Sequence, residues 1–419
     1  MFWGHEMTQR MFTWAAGILA FAAAAVFIAW LTSEDPRTNQ ASFEDTPLQM
    51  SLSPSTEAIT LAQFRNDQGE TVTLLVTQYA DGAITGIDFS DFGAPRFDDP
   101  FEVLASVDPS EIVSAERELS GRIEVSIEDL LPSGPTGSHH IGIGTNFPEH
   151  AEEASSDSVF NFPKFGTATP ARTSVVAPAS GLLDYEVEFC MRFDRPIASL
   201  KDFDDAVKGL FLCADFTDRI ALLELADFDN LDSGYGFSDA KSGDDFFPTG
   251  PFLVVPQDWR AFIAEERMTT ELNGEARQDA RGAEMTLDYR ALAEKALNDM
   301  SEARFFYQGD FYRLSQTGRI EPEMTLMSGT SEGVIFTSPA RHDYIEMIIA
   351  YVLAGGPLSG KSLIDIGVPI FIENEVQGGH FLKPGDEVIY RSSRMGEIVV
   401  EVIAPSGVQL TSALGQERT

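Results

Sequence analysis

Apolar and polar positions divide the chain into stretches of different period. No charged residue occurs from Met11 to Ser33, and Phe12–Leu31 is almost wholly apolar. Twenty helical residues at about 1.5 Å each reach about 30 Å, the thickness of a bilayer's hydrocarbon core, so residues 1–33 predict a transmembrane anchor. Trp14 and Trp30 lie near the ends of the run, where amphipathic rings favour the membrane interface. Arg10 precedes it and Glu34 and Asp35 follow, which predicts a cytoplasmic N-terminus and an extracytoplasmic, periplasmic main domain. Residues 34–57 are rich in Ser, Thr, Pro, Asp and Glu and read as a linker. Strand-like runs such as Thr71–Gln78 and Ile123–Ile127, separated by Gly and Asp turns, predict a small β-rich region at 58–140. Short strands with a few helices follow over 141–405, and 406–419 reads as a frayed tail. Helical spacing occurs at Tyr289–Met300 and at Arg341–Leu353, the second stopped by Gly355-Gly356.

The segment from Leu182 to Cys190 has the clearest two-residue period. Leu183, Tyr185, Val187 and Phe189 alternate with Asp184, Glu186 and Glu188, so one face of a strand is apolar and the other presents carboxylates to a single locus. Two glutamates at i and i+2 can converge on one ion, and without a cation their burial together is costly. Spacing alone leaves open a wet acidic face.

Composition narrows the partners. The chain carries 66 Asp and Glu against 29 Lys and Arg, a net charge of −37. Such a field repels phosphates, so no nucleic-acid partner is expected, and an anionic substrate needs a locally positive pocket. With 43% hydrophobic residues the chain can bury a proper core. The only cysteines, Cys190 and Cys213, exclude a disulfide framework. One bridge and two separate buried thiols both remain open, and the thiols are expected. Gly355–Ser362 satisfies the Gly-x4-Gly-Lys-Ser pattern of a phosphate-binding loop. That loop needs a strand before it and a helix after it. Here a helical pattern precedes and Leu363–Pro369 reads as extended, so a glycine-rich turn is expected instead.

Seven motifs in order carry a resemblance. They are Gly144-Thr145-Asn146-Phe147 with His150-Ala151 and Glu153; Leu183-Asp184-Tyr185-Glu186-Val187-Glu188; Asp215-Phe216-Thr217-Asp218-Arg219; Lys241-Ser242 with Phe247–Pro251; Asn273-Gly274-Glu275 with Arg277-Gln278; Ser328-Gly329-Thr330 with Gly333-Val334; and Leu382–Asp386. Together they resemble the fumarylacetoacetate hydrolase family over about residues 141–400. The resemblance implies an α+β, β-rich fold built on a mixed β-sheet roll, usually a homodimer. It further implies Mg²⁺, or Mn²⁺ or Ca²⁺, held by Glu186, Glu188 and Asp215. The implied reaction cleaves a carbon–carbon bond in a small β-diketo acid or acylpyruvate, with His150 as base paired to Glu153. Arg219 and Lys241 would steady the oxyanion, and Thr330 and Gln278 would contact the oxo-acid substrate. A decarboxylase, isomerase or hydratase on the same metal, and a catalytically silent tethered binding domain, are the competing readings.

Departures from the family pattern are also visible. Ile220 and Leu222 stand where the pattern has Asp and Gln. The segment Phe162–Gly166 reads as lacking the lysine that follows the aromatic. About forty extra residues precede Leu382, and an anchor is unusual for the family.

Overall fold

Strands punctuated by glycine and proline assemble into two principal sheets. The computed structural model describes residues 3–33, 39, 41–80, 82–115, 121–154, 156, 158–178, 181–227 and 230–405. The expected tail at 406–419 and residues 34–38 and 40 of the expected linker lie outside them. The chain divides into two units, Met1–Arg37 with Thr337–His380, and Thr38–Phe336 with Phe381–Thr419.

In chain order the principal strands of the larger unit are β1 (Ala58–Arg65), β2 (Thr71–Ala80), β3 (Ala83–Asp88), β4 (Arg122–Ser126), β5 (His139–Gly144), β6 (Phe160–Phe165) and β7 (Arg172–Val176). They continue with β8 (Val187–Phe193), β9 (Lys208–Ala214), β10 (Leu253–Pro256), β11 (Arg267–Leu272), β12 (Glu275–Arg281), β13 (Leu326–Met327), β14 (Glu387–Ser392) and β15 (Gly396–Ile403). A ten-stranded sheet runs β4-β3-β2-β1-β10-β9-β8-β13-β5-β6, and a five-stranded sheet runs β12-β11-β14-β15-β7. Both are mixed: β13 is parallel to β5 and β15 to β7, whereas β8 and β9 are antiparallel. The α+β, β-rich fold expected from the resemblance is present. The helix expected at Tyr289–Met300 runs Tyr289–Asp299, capped by the Asp288 side chain.

β8 and β9 lie inside the large sheet, and every residue of both is buried. A strand covered on both faces needs a nearly continuous apolar run, and Leu210-Phe211-Leu212-Cys213-Ala214 supplies one. Their register pairs Cys190 with Phe211 and Cys213 with Glu188. Cys190 and Cys213 are therefore diagonal neighbours on one face. Their Cα atoms are 6.0 Å apart and the sulfurs form a disulfide, which corrects the expected pair of thiols. The separation lies within normal bridging reach, but the pairing depends on a register that the spacing of two cysteines does not reveal. Phe211, Phe247, Leu253 and Met327 pack in the same apolar cluster.

The smaller unit holds the helices Trp3–Leu31, Arg341–Leu353 and Leu363–Gly378. Among the described residues no helix is long and apolar enough to cross a membrane. This corrects the expected single-pass anchor and, with it, the extracytoplasmic placement derived from its flanking charges. Trp30, expected at a membrane interface, instead donates its indole N–H to Glu346 Oε1 at 2.8 Å, while Asn374 donates to Glu346 Oε2 at 2.9 Å. One glutamate thus links all three helices.

Leu363–Pro369 is helical, not extended. Ser362 and Asp365 form a capping box at the helix start, a signal that outweighs the β-branched residues and the proline that follow. Pro369 is accommodated inside the helix, and Gly379 ends it in the left-handed conformation. The phosphate-loop pattern still lacks its preceding strand, because the helix Arg341–Leu353 occupies that place.

Candidate metal and active site

Two consecutive ladders build the site. Leu183-Asp184 pairs with Thr217-Asp218, and β8 pairs with β9. Between them the Asp215 N–H donates to the Glu186 carbonyl at 3.0 Å. These registers bring Glu186, Glu188 and Asp215 together. One carboxylate oxygen from each lies within 4.8 Å of the others, and all three residues are buried.

Three fixed cations surround the carboxylates. Lys241 Nζ lies 2.7 Å from Glu186 Oε2 and 2.9 Å from Asp215 Oδ2. Lys164 Nζ lies 2.6 Å from Asp215 Oδ1 and also donates to the Lys241 carbonyl. Arg219 donates from Nε to Asp184 at 2.8 Å and from Nη2 to Glu186 Oε1 at 3.0 Å. Asp184 also accepts the Ile335 and Phe336 N–H groups, at 2.8 and 3.0 Å. Counting Asp184, four carboxylates face three fixed cations. Glu188 is the least satisfied member: Oε2 accepts the Gly329 N–H at 2.8 Å, whereas Oε1 is buried without a hydrogen-bond partner. An all-oxygen set with an orphaned, buried carboxylate oxygen is what a hard divalent cation requires. The residues fit such an ion.

The two glutamates titrate in opposite directions. Burial pushes Glu186 up, but Lys241 and then Arg219 outweigh it and hold its carboxyl down at about 2. Burial, reinforced by the charge of Asp215, pushes Glu188 well above the usual carboxylate range. A cation loaded there would compete with a proton for Glu188. Mn²⁺ affinity should rise about tenfold per pH unit below the raised Glu188 value and flatten above it. Titration calorimetry in buffers of different ionisation enthalpy should register about one proton released, and Glu188→Gln should abolish the slope. A pH-independent affinity in the parent protein would show that Glu188 is already ionised.

The helix Pro148–Glu153 starts with proline at its first turn, a position where the missing N–H costs nothing. Its length puts His150 and Glu153 on one face. His150 Nδ1 lies 2.9 Å from Glu153 Oε2, and Glu153 Oε1 accepts the Gly333 N–H at 2.9 Å. Thr330 Oγ1 donates to the Val187 carbonyl at 2.9 Å. Gln278 donates to Thr330 Oγ1 and the Ser331 carbonyl, and accepts from the Val187 N–H and Thr270 Oγ1. Every hydrogen-bonding position of the Gln278 amide is engaged, so as placed it braces Val187, between the two glutamates. Ile220 is half-buried and Leu222 buried on the helix Arg219–Leu225.

Lys164 is the group that sequence reasoning missed. The lysine read as lacking is present on β6, fully buried, and bonded to Asp215. A lysine between Phe162 and Phe165, in a strand whose only other polar residue is Asn161, was the available signal, since a buried lysine requires a partner. Asp184, within the Leu183–Glu188 motif, likewise links Arg219 to the backbone at 335–336.

The family model for the fumarylacetoacetate (FAA) hydrolase C-terminal domain matches residues 139–403, more than half of the chain. The chain belongs to the fumarylacetoacetate hydrolase family. Every residue of the carboxylate cluster, its three cations and the His150–Glu153 pair lies inside the matched span. A solved structure with a TM-score above 0.5 agrees on the fold. A putative HpcE protein from Mycobacterium smegmatis is similar at 18% identity and a TM-score of 0.51, covering 83% of this chain and 100% of its own. Maleylpyruvate hydrolase from Sphingobium sp. SYK-6 is 17% identical, covering 82% and 100% at a TM-score of 0.45. Fumarylpyruvate hydrolase from Pseudomonas aeruginosa, in complex with Mn²⁺ and pyruvate, is 16% identical, covering 66% and 92% at 0.43. Comparison with curated proteins gave no match.

Proposed function

We propose that this member of the fumarylacetoacetate hydrolase family is a divalent-metal-dependent hydrolase cleaving a carbon–carbon bond in a small acylpyruvate or β-diketo acid. The observation that carries this reading is a buried, three-carboxylate cluster with an orphaned oxygen, accompanied in the same unit by a histidine–glutamate pair at 2.9 Å. Glu186, Glu188 and Asp215 would hold Mg²⁺ or Mn²⁺, with Ca²⁺ a third candidate. Bound there, the ion would supply Lewis-acid polarisation of the substrate. His150 takes a proton from water, and Glu153 orients the ring and stabilises its charged form. The resulting hydroxide adds to the keto carbon. The carbon–carbon bond then breaks, its electron pair leaves as an enolate, and protonation yields the shorter oxo-acid beside a carboxylic acid. Lys241 holds Glu186 and Asp215 and adds positive charge where the oxyanion develops. Arg219, engaged by Asp184 and Glu186, keeps that ligand in place.

A decarboxylase or isomerase would use the same enolate chemistry without activating water. The paired His150 favours hydrolysis. Incubation of the purified protein with Mg²⁺ or Mn²⁺ and a panel of acylpyruvates and oxaloacetate tests the reading. The expected result is turnover that EDTA stops and Mn²⁺ restores, with two acids as products. Carbon dioxide or an isomer as product would replace the hydrolase by one of its relatives, and no turnover on any oxo-acid would leave a binding domain.

A further inference from the structure

The segment expected to be a loose linker lies along the larger unit. The Ser42 N–H donates to Glu332 Oε1 at 3.1 Å, and the Glu44 N–H donates to Asp279 Oδ2 at 2.8 Å. Arg267 Nη1 donates to the Thr46 carbonyl at 2.6 Å, and Arg281 pairs with the Glu44 carboxylate. Asn39 donates to the Val334 and Phe336 carbonyls, at 2.8 and 2.6 Å. One end of this strap therefore grips β11 and β12, and the other grips the loop 332–336.

That loop reaches the site in two directions. The Gly333 N–H holds Glu153, whose other oxygen holds His150. The Ile335 and Phe336 N–H groups hold Asp184, which holds Arg219 against Glu186. Gly333 is closely confined: Tyr185 Oη donates to its carbonyl, and it sits at φ +97°. A Cβ there would meet the Arg277 carbonyl at 2.0 Å and the Ala41 methyl at 3.0 Å. The strap packs directly over the residue whose N–H orients the base.

We propose that Asn39 and residues 41–46 form a positioning strap that, through Glu332 and the loop 332–336, sets the His150–Glu153 pair for proton transfer. The hydrogen bonds that hold the strap go to Asp279, Arg267, Arg281 and the loop 332–336, and not to the carboxylate cluster or the histidine. Loss of the strap is expected to disturb orientation more than metal binding, through two links: Asn39 to the 334 and 336 carbonyls, and Ser42 to Glu332. The kinetic part of this proposal rests on the hydrolase reading, whereas its structural part does not.

Two substitutions in the full chain separate these parts. In Asn39→Ala and in Glu332→Ala, hydrogen exchange followed by mass spectrometry should show faster exchange over 148–154 and 332–336 than in the parent. Exchange elsewhere in β8 and β9 should stay unchanged. Glu332→Gln retains an acceptor for the Ser42 N–H and should restore protection. On any substrate the parent turns over, each alanine variant should lower kcat about tenfold, with KM and Mn²⁺ affinity held within about twofold and the glutamine variant recovering. Unchanged exchange over 148–154 in both alanine variants would overturn the strap, as would unchanged kcat. A parent protein inactive on every oxo-acid would refute the hydrolase reading, and the exchange measurement would still decide the strap.

Discussion

Asp215→Asn is expected to weaken Mn²⁺ binding by more than about 100-fold and to remove turnover on any oxo-acid substrate. Even the outer partners of metal ligands are worth about 10–100-fold in affinity, and Asp215 is proposed as a direct ligand. Asparagine is a better probe than alanine here. Asp215 accepts from both Lys164 and Lys241, and removing the whole side chain would leave two buried ammonium groups short of partners, a strongly destabilising change. The amide keeps the volume and one acceptor oxygen while removing the charge. Metal content after dialysis is the direct measurement, with a thermal melt to confirm that the fold is retained. Equal metal in variant and parent would remove Asp215 from the ligand set.

His150→Ala is expected to lower kcat by about 10²–10⁴-fold, the usual contribution of a positioned general base. Mn²⁺ affinity should be nearly unchanged, because the ring's hydrogen-bond partner is Glu153 and not a carboxylate of the cluster. KM should move little. Glu153→Gln should give a smaller loss, since an amide oxygen can still accept the Gly333 N–H but no longer carries the charge that stabilises imidazolium. Loss of metal in His150→Ala would make the histidine a ligand or a support. Unchanged turnover would remove the pair from the mechanism.

The parts legible in the sequence were those set by local period or by motif. Alternation from Leu183 to Phe189 placed Glu186 and Glu188 on one face, and the Arg341–Leu353 helix has the bounds that its flanking Pro339 and Gly355-Gly356 imply. The parts that were not legible depend on partners distant in the chain. Lys164 acquires its role from Asp215, 51 residues away, and the link from Ser42 to Glu332 spans 290. No local pattern announces either. The helix beginning at Leu363 was legible in principle, because Ser362 and Asp365 spell its start, but Pro369 and the β-branched residues argued for extended chain. The apolar run at the N-terminus misled for a different reason. It was read by itself, whereas Trp30 and Glu346 show its helix bonded to one 316 positions later.

The disulfide has a bearing on the chain before it folds. Cys190 and Cys213 are 23 residues apart, and closing a loop of that size removes about 3 kcal/mol of configurational freedom from the denatured ensemble in the chain-entropy account. A chain with net charge −37 swells by self-repulsion when unfolded. Glu188 lies two residues before one sulfur and Asp215 two residues beyond the other, so in the oxidised chain these carboxylates never drift far apart.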